Sequence, residues 1–138
     1  MTKLLLNIDV PDIEQAVAFY TAALGLRVGR RLRDGFIELL GAEIPIYLIE
    51  QPAGTRIGPA GGGIRRYDRH WSPVHVDVVV DDLEAAIARA VNAGAVQEGE
   101  TCHAAYGRLA MFADPFGHGF CLIEFNPAGY DAIVRADV

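Results

Sequence analysis

The chain is short of cysteine, of long apolar runs and of positive charge, and each shortage excludes a class of protein. Only two cysteines, Cys102 and Cys121, occur in 138 residues. A chain of this length builds its own core, so they read as small buried thiols rather than a disulfide framework. Uninterrupted apolar runs such as Leu4-Leu5-Leu6 fall far short of the ~20 residues that a spanning helix needs, which argues against a membrane protein. The N-terminus lacks the apolar core and small-residue cleavage site of a secretory signal, so a cytoplasmic address is expected. Twelve basic residues against eighteen acidic give a net charge of −6, which disfavours nucleic acid and leaves a small molecule or a protein as the expected partner. The run Gly61-Gly62-Gly63 is not a phosphate loop, because no strand leads into it and no Gly-Lys-Ser/Thr follows.

What the chain does have is an internal repeat. Leu4–Ile13 superimposes on Val74–Leu83 at an offset of 70. Alternate residues are apolar in both (Leu4, Leu6, Ile8, Val10 and Val74, Val76, Val78, Val80), the period of a strand with one dry face. Each strand runs into a helix opened by an acidic N-cap, Asp12 or Asp82. The apolar stripe Ile13, Ala16, Val17, Tyr20, Leu24 matches Leu83, Ala86, Ile87, Ala90 and Gly94 at helical spacing. Gly25 and Gly94 are natural stops.

Three strand-like runs follow each helix, at about 26–32, 35–41 and 44–50 and at about 95–99, 108–113 and 119–125. The turn Asp114-Pro115-Phe116-Gly117 marks the last hairpin. The copies end alike in Leu48-Ile49-Glu50 and Leu122-Ile123-Glu124. The organisation expected is therefore a first βαβββ module over 1–51, a Gly/Pro/Arg-rich linker over 52–72, a second module over 73–126 and a tail over 127–138. The linker reads as a mobile connection, and the tail is expected to hold a short helix near 130–135.

Alternation also sorts side chains by face. If Val74, Val76 and Val78 pack beneath the helix, His75 and Asp77 point to the other face. Glu124 shares a face with Leu122 and Phe120, and Glu50 with Leu48 and Ile46, but alternation alone does not say which face that is. A carboxylate between Ile123 and Phe125 is costly to bury unless paired or bound to a cation. Trp71, Phe36 and Tyr47 are expected to wall the core or a pocket. His103 and Tyr106 fall in a loop and read as exposed spectators or rim residues, and His118 reads as exposed.

The order Val10, Asp12, Ile13, Ala16, Phe19-Tyr20, Leu24-Gly25, repeated as Val80, Asp82, Leu83 and then Gly107-Arg108, Asp114-Pro115-x-Gly117 and a terminal Leu-Ile-Glu, resembles the vicinal oxygen chelate superfamily. That superfamily includes glyoxalase I, bleomycin resistance proteins, fosfomycin-resistance enzymes and extradiol dioxygenases. The resemblance implies an α+β fold, two tandem βαβββ modules whose mixed sheet curls around a cleft, usually in a homodimer. It implies a metal held by His75, Glu124 and Glu50, with Leu5 at a fourth position that cannot ligate. Zn²⁺, Ni²⁺, Mn²⁺ or Fe²⁺ would suit such donors, with Glu124 or Glu50 as catalytic base. By strand parity Asn7 and Asp77 share the face of Leu5 and His75, where they can bond a ligand or each other across the module interface, and Arg108 stands for either an anion contact or a plain salt bridge. Two functions stay open: a metal-dependent lyase or dioxygenase acting on a small oxygenated substrate, and a metal-free binding protein of the bleomycin-resistance type.

Overall fold

The computed structural model describes residues 1–136, and the chain divides into two compact units, Met1–Asp68 and the residues from Arg69 onward. In the first unit, β1 (Leu6–Val10) leads into α1 (Ile13–Leu24), followed by β2 (Arg27–Arg33), β3 (Phe36–Leu40) and β4 (Ile46–Glu50). The sheet order is β1-β4-β3-β2, with β1 parallel to β4 and the other pairs antiparallel. Asp12 caps α1 as expected, its carboxylate accepting from the Gln15 N–H at 3.0 Å. Gly25 ends the helix at φ 66°, a left-handed conformation that costs glycine little. Ala16, Phe19, Tyr20 and Ala23 bury the helix's inner face, and Val10, Ile37, Leu39 and Leu48 are buried in the sheet.

Residues 56–64, expected as mobile connection, form a hairpin of β5 (Arg56–Gly58) and β6 (Gly61–Ile64). Its return strand is tied down from beyond its end. Arg65 donates to the Asp9 carboxylate at 3.0 Å and to the Arg56 carbonyl, and the Tyr67 hydroxyl donates to the Gln51 carbonyl at 2.6 Å.

The second unit repeats the plan with β7 (Val76–Val79), α2 (Leu83–Ala93), β8 (Val96–Gln97), β9 (Cys102–Ala104), β10 (Gly107–Ala113) and β11 (Gly119–Phe125). Its sheet runs β7-β11-β10-β8, with β9 also on β10. The run expected at 95–99 is only two residues long, and β9 is an added strand. Asp82 accepts from the Ala85 N–H at 3.1 Å, and Gly94 closes α2 at φ 119°. Leu83, Ala86 and Ala90 pack inward, and Phe112, Phe116 and Leu122 are also buried. The Asp114 carboxylate closes its turn by accepting from the Phe116 and His118 N–H groups, each at 2.8 Å. A short 3-10 helix spans Gly129–Ile133; Asp137 and Val138 of the expected tail lie outside the described residues.

Candidate functional site

The register of β7 against β11 settles the face of Glu124. Val76 pairs with Phe120 and Val78 with Leu122 in parallel, so Glu124, two residues beyond Leu122, projects on the face of Val78. There its Oε2 accepts from the Leu83 N–H, at the start of α2, at 2.8 Å. The first unit does the same: Glu50 Oε2 accepts from the Ile13 N–H at 2.8 Å. β4 and β11 thus each carry, at or next to their C-terminal end, a glutamate that satisfies an unpaired donor of the helix in the same unit.

Arg108 completes the arrangement in the second unit. Its Nε and Nη2 lie 3.1 and 2.8 Å from Glu124 Oε1, and it also grips both oxygens of Glu84. The Leu83 N–H and the guanidinium together hold the Glu124 carboxyl below its usual range. Arg108 holds Glu84 down at about 2, and its own pKa is raised by the two carboxylates. Asp82, Glu84 and Glu124 do bring carboxylate oxygens within 4.8 Å of one another, but Arg108 already supplies the countercharge.

His75 lies elsewhere. Its Nδ1 is 3.5 Å from Asp77 Oδ1, and Asp77 pairs across the ladder with Cys121. These three share the face opposite Glu124. Burial, with Asp77 beside it, pushes the Cys121 thiol up to about 11, so it stays protonated and is not an activated nucleophile. The set implied by the resemblance is therefore not assembled. His75 and Glu124 point to opposite faces of one sheet, Leu5 is apolar and exposed, and Glu50, in the first unit, spends an oxygen on Ile13. As placed, His75 and Glu124 do not fit a shared metal ion.

Of the expected ligand contacts, Arg108 is saturated by carboxylates and Asp77 faces His75 and Cys121. Asn7 is exposed on β1 opposite Tyr47. Near Tyr47 sits a carboxylate that sequence reasoning missed. Glu38, 8% exposed, takes hydrogen bonds from Arg30 Nε at 3.0 Å and Nη2 at 2.7 Å. Those bonds lower its pKa to about 2. Tyr106 is half-buried in an aromatic cluster with Phe125 and Tyr130 rather than a spectator, whereas His103 is exposed on β9.

A concavity of about 220 Å³ opens where β11 begins, lined by Trp71, His75, Met111, Phe112, Phe120 and Cys121 among others. Phe112 and Phe120 stack with ring centroids 5.4 Å apart. Trp71, the chain's only tryptophan, is 82% exposed at this site. The segment carrying it is pinned by Arg69, which reaches both Glu98 oxygens at 2.7 and 2.8 Å. The aromatic wall was expected for Trp71. The contributions of Met111, Cys121 and Arg69 depend on strand pairing and were not visible locally.

Residues 6–123 match the glyoxalase-like domain, and the chain belongs to this family within the vicinal oxygen chelate superfamily. It is 34% identical over 119 residues to the anthracycline biosynthesis protein DauV of Streptomyces sp. strain C5, covering 85% of this chain and 39% of that relative. The chain thus spans about two fifths of that relative's length. Among solved structures it is similar to TnmS3, an antibiotic binding protein from Streptomyces sp. CB03234, with TM-score 0.63 and 22% identity over 91% of this chain and 97% of that one. It is also similar to a mutant of the fosfomycin resistance protein FosX from Listeria monocytogenes, complexed with Mn(II) and 1S,2S-dihydroxypropylphosphonic acid. There the TM-score is 0.70 and the identity 16%, over 93% and 94% of the two chains. At these identities the two structures share the fold with this chain. No helix among the described residues is long and apolar enough to cross a membrane.

Proposed function

We propose that this chain binds a planar, oxygenated aromatic small molecule in the concavity beside Trp71, without a resident metal at the positions implied by the superfamily. The observation that carries this reading is an exposed indole at a site walled by Phe112, Phe120 and Met111. An exposed indole beside a concavity with apolar walls offers a flat ligand a stacking partner and an apolar floor. About 220 Å³ is below the roughly 300–1,000 Å³ typical of drug-sized ligands, so the site takes one edge of a fused-ring system and leaves the rest outside. Glu50 and Glu124 act in this reading as helix-capping carboxylates, not as ligands or bases. DauV is described as an anthracycline biosynthesis protein and TnmS3 as an antibiotic binding protein, which is in keeping with such a ligand. The homodimer and cytoplasmic address implied earlier belong to the same proposal.

The alternative, a metal-dependent lyase or dioxygenase, keeps His75 as its strongest residue. One titration separates the two. A fused-ring quinone of the anthracycline type is added to the untagged protein and followed by Trp71 emission and calorimetry. Saturable quenching at one ligand per chain, weakened by Met111→Asp with an unchanged melting temperature, supports the proposal. No saturable binding, together with one divalent ion per chain that His75→Gln removes, would overturn it in favour of the enzyme.

A further inference from the structure

His70 and His118 are 48 residues apart, yet His70 Nε2 and His118 Nδ1 lie 3.0 Å from each other. The rings meet edge to face at 77° with centroids 4.9 Å apart. Both backbones are fixed to one turn: the His70 N–H donates to the Gly117 carbonyl at 3.2 Å, and the His118 N–H to buried Asp114 at 2.8 Å. Two half-buried imidazoles thus hold one ring nitrogen each within 3.0 Å of the other.

We propose that His70 and His118 form a bidentate site for a divalent transition-metal ion, Zn²⁺, Ni²⁺ or Cu²⁺. With metal–nitrogen bonds of about 2.0–2.1 Å, two nitrogens on one ion lie roughly 2.9 Å apart at a right angle and roughly 3.3 Å apart at a tetrahedral one. The observed 3.0 Å falls within that span. In the metal-free pair one nitrogen donates its proton to the other. To bind, the donor ring moves that proton to its other nitrogen, both lone pairs turn to the ion, and neutral imidazoles release no net proton. Imidazole suits these three ions better than Mg²⁺ or Ca²⁺. Arg69, beside His70 in sequence, is ion-paired with Glu98, while the carboxylate of buried Asp114 accepts from the His118 N–H and adds a negative charge that favours a cation. Water completes the coordination. The bound ion clasps the segment carrying Trp71 to the turn before β11. This inference is independent of the proposed aromatic ligand and of His75.

The test uses the untagged full chain, titrated with Zn²⁺ and Ni²⁺ by calorimetry and chelator competition. One ion per chain is expected. His118→Gln and His70→Gln should each weaken binding by at least ~10-fold, the lower end of what a residue merely supporting a ligand contributes, while His75→Gln leaves it unchanged. Ni²⁺ should quench the Trp71 emission in wild type and not in His118→Gln. If His118→Gln fails to fold, His70→Gln carries the test, since its residue lies outside every strand. Absence of a stoichiometric ion, or binding lost in His75→Gln and retained in His70→Gln, would overturn the proposal.

Discussion

The carboxylate of Glu124 accepts a hydrogen bond from the backbone N–H of Leu83 at 2.8 Å, and Glu50 repeats it on Ile13 at 2.8 Å. Each helix start therefore has two acidic caps: the aspartate just before it and a glutamate arriving from the far end of the module's last strand. Two of the free N–H groups are met in this way, and negative charge accumulates where the helix dipole favours it. Two of the three residues that the resemblance implied as metal ligands, Glu124 and Glu50, thus cap helices.

Substitution separates the two roles of these carboxylates. Glu124→Gln should lower the melting temperature while leaving calorimetric affinity for the ring ligand unchanged, because the cap lies on the face opposite His75. Asp82→Ala sets the scale for a lost N-cap at about 1 kcal/mol. If Glu124→Gln abolished ligand or metal binding without any change in melting, the capping role would fail.

Acid should expose the carboxylates that Arg30 and Arg108 hold down. Glu38 is lowered to about 2, chiefly by hydrogen bonds from Arg30. Glu84 is lowered to about 2 by Arg108, and Glu124 in the same direction by the Leu83 N–H and Arg108. A carboxyl whose folded pKa lies below its unfolded value stabilises the fold above the unfolded pKa and loses that contribution as pH falls towards the folded one. Melting temperature should therefore be level from neutral pH to about 5 and decline from about 4.5 to about 2. Glu38→Gln should make the decline shallower; an unchanged slope would show that Arg30 contributes nothing through Glu38.

The parts of the fold set by local chemistry were legible in the sequence. Asp12 and Asp82 marked helix starts, Gly25 and Gly94 marked ends, and period-two alternation located the strands. What escaped depends on partners far along the chain. The β5–β6 hairpin lies in a glycine-rich stretch with no strand pattern, and is secured by Arg65 reaching Asp9 across 56 positions. The side chain of Glu124 could be assigned a companion face but not an absolute one until β11 paired with β7. His118, expected to be exposed, is half-buried because His70 folds back on it.

Gly107 should tolerate no side chain. Its φ is +145°, and a Cβ there would sit 2.0 Å from the Glu124 carbonyl oxygen and 2.9 Å from Phe125 Cα. Both obstacles are backbone of the neighbouring strand, so relief means separating β10 from β11, the ladder at the centre of the second unit. Gly107→Ala should cost about 3 kcal/mol or more, read as a lower urea midpoint at unchanged slope. A midpoint within experimental error of wild type would mean that the hairpin has slack it does not show.

Gly119 is also crowded, but by something that can move. A Cβ at this position would lie 2.8 Å from Arg69 Nη2 and 3.3 Å from its Cζ, and the backbone is not in the left-handed region. The guanidinium can swing away, at the expense of its two bonds to Glu98 and those to the His70 and Gly117 carbonyls. Those side chains are 42% and 34% exposed, so the lost ion pair should cost about 1 kcal/mol or less. The larger effect should fall on the pocket, since Arg69 holds the segment that carries Trp71. Gly119→Ala should therefore shift the Trp71 emission and weaken ring-ligand binding while barely changing the melting temperature. Glu98→Gln, which loosens Arg69 without crowding it, should move both readouts in the same direction. A variant that melts like wild type and binds with wild-type affinity would show that Arg69 does not position the indole.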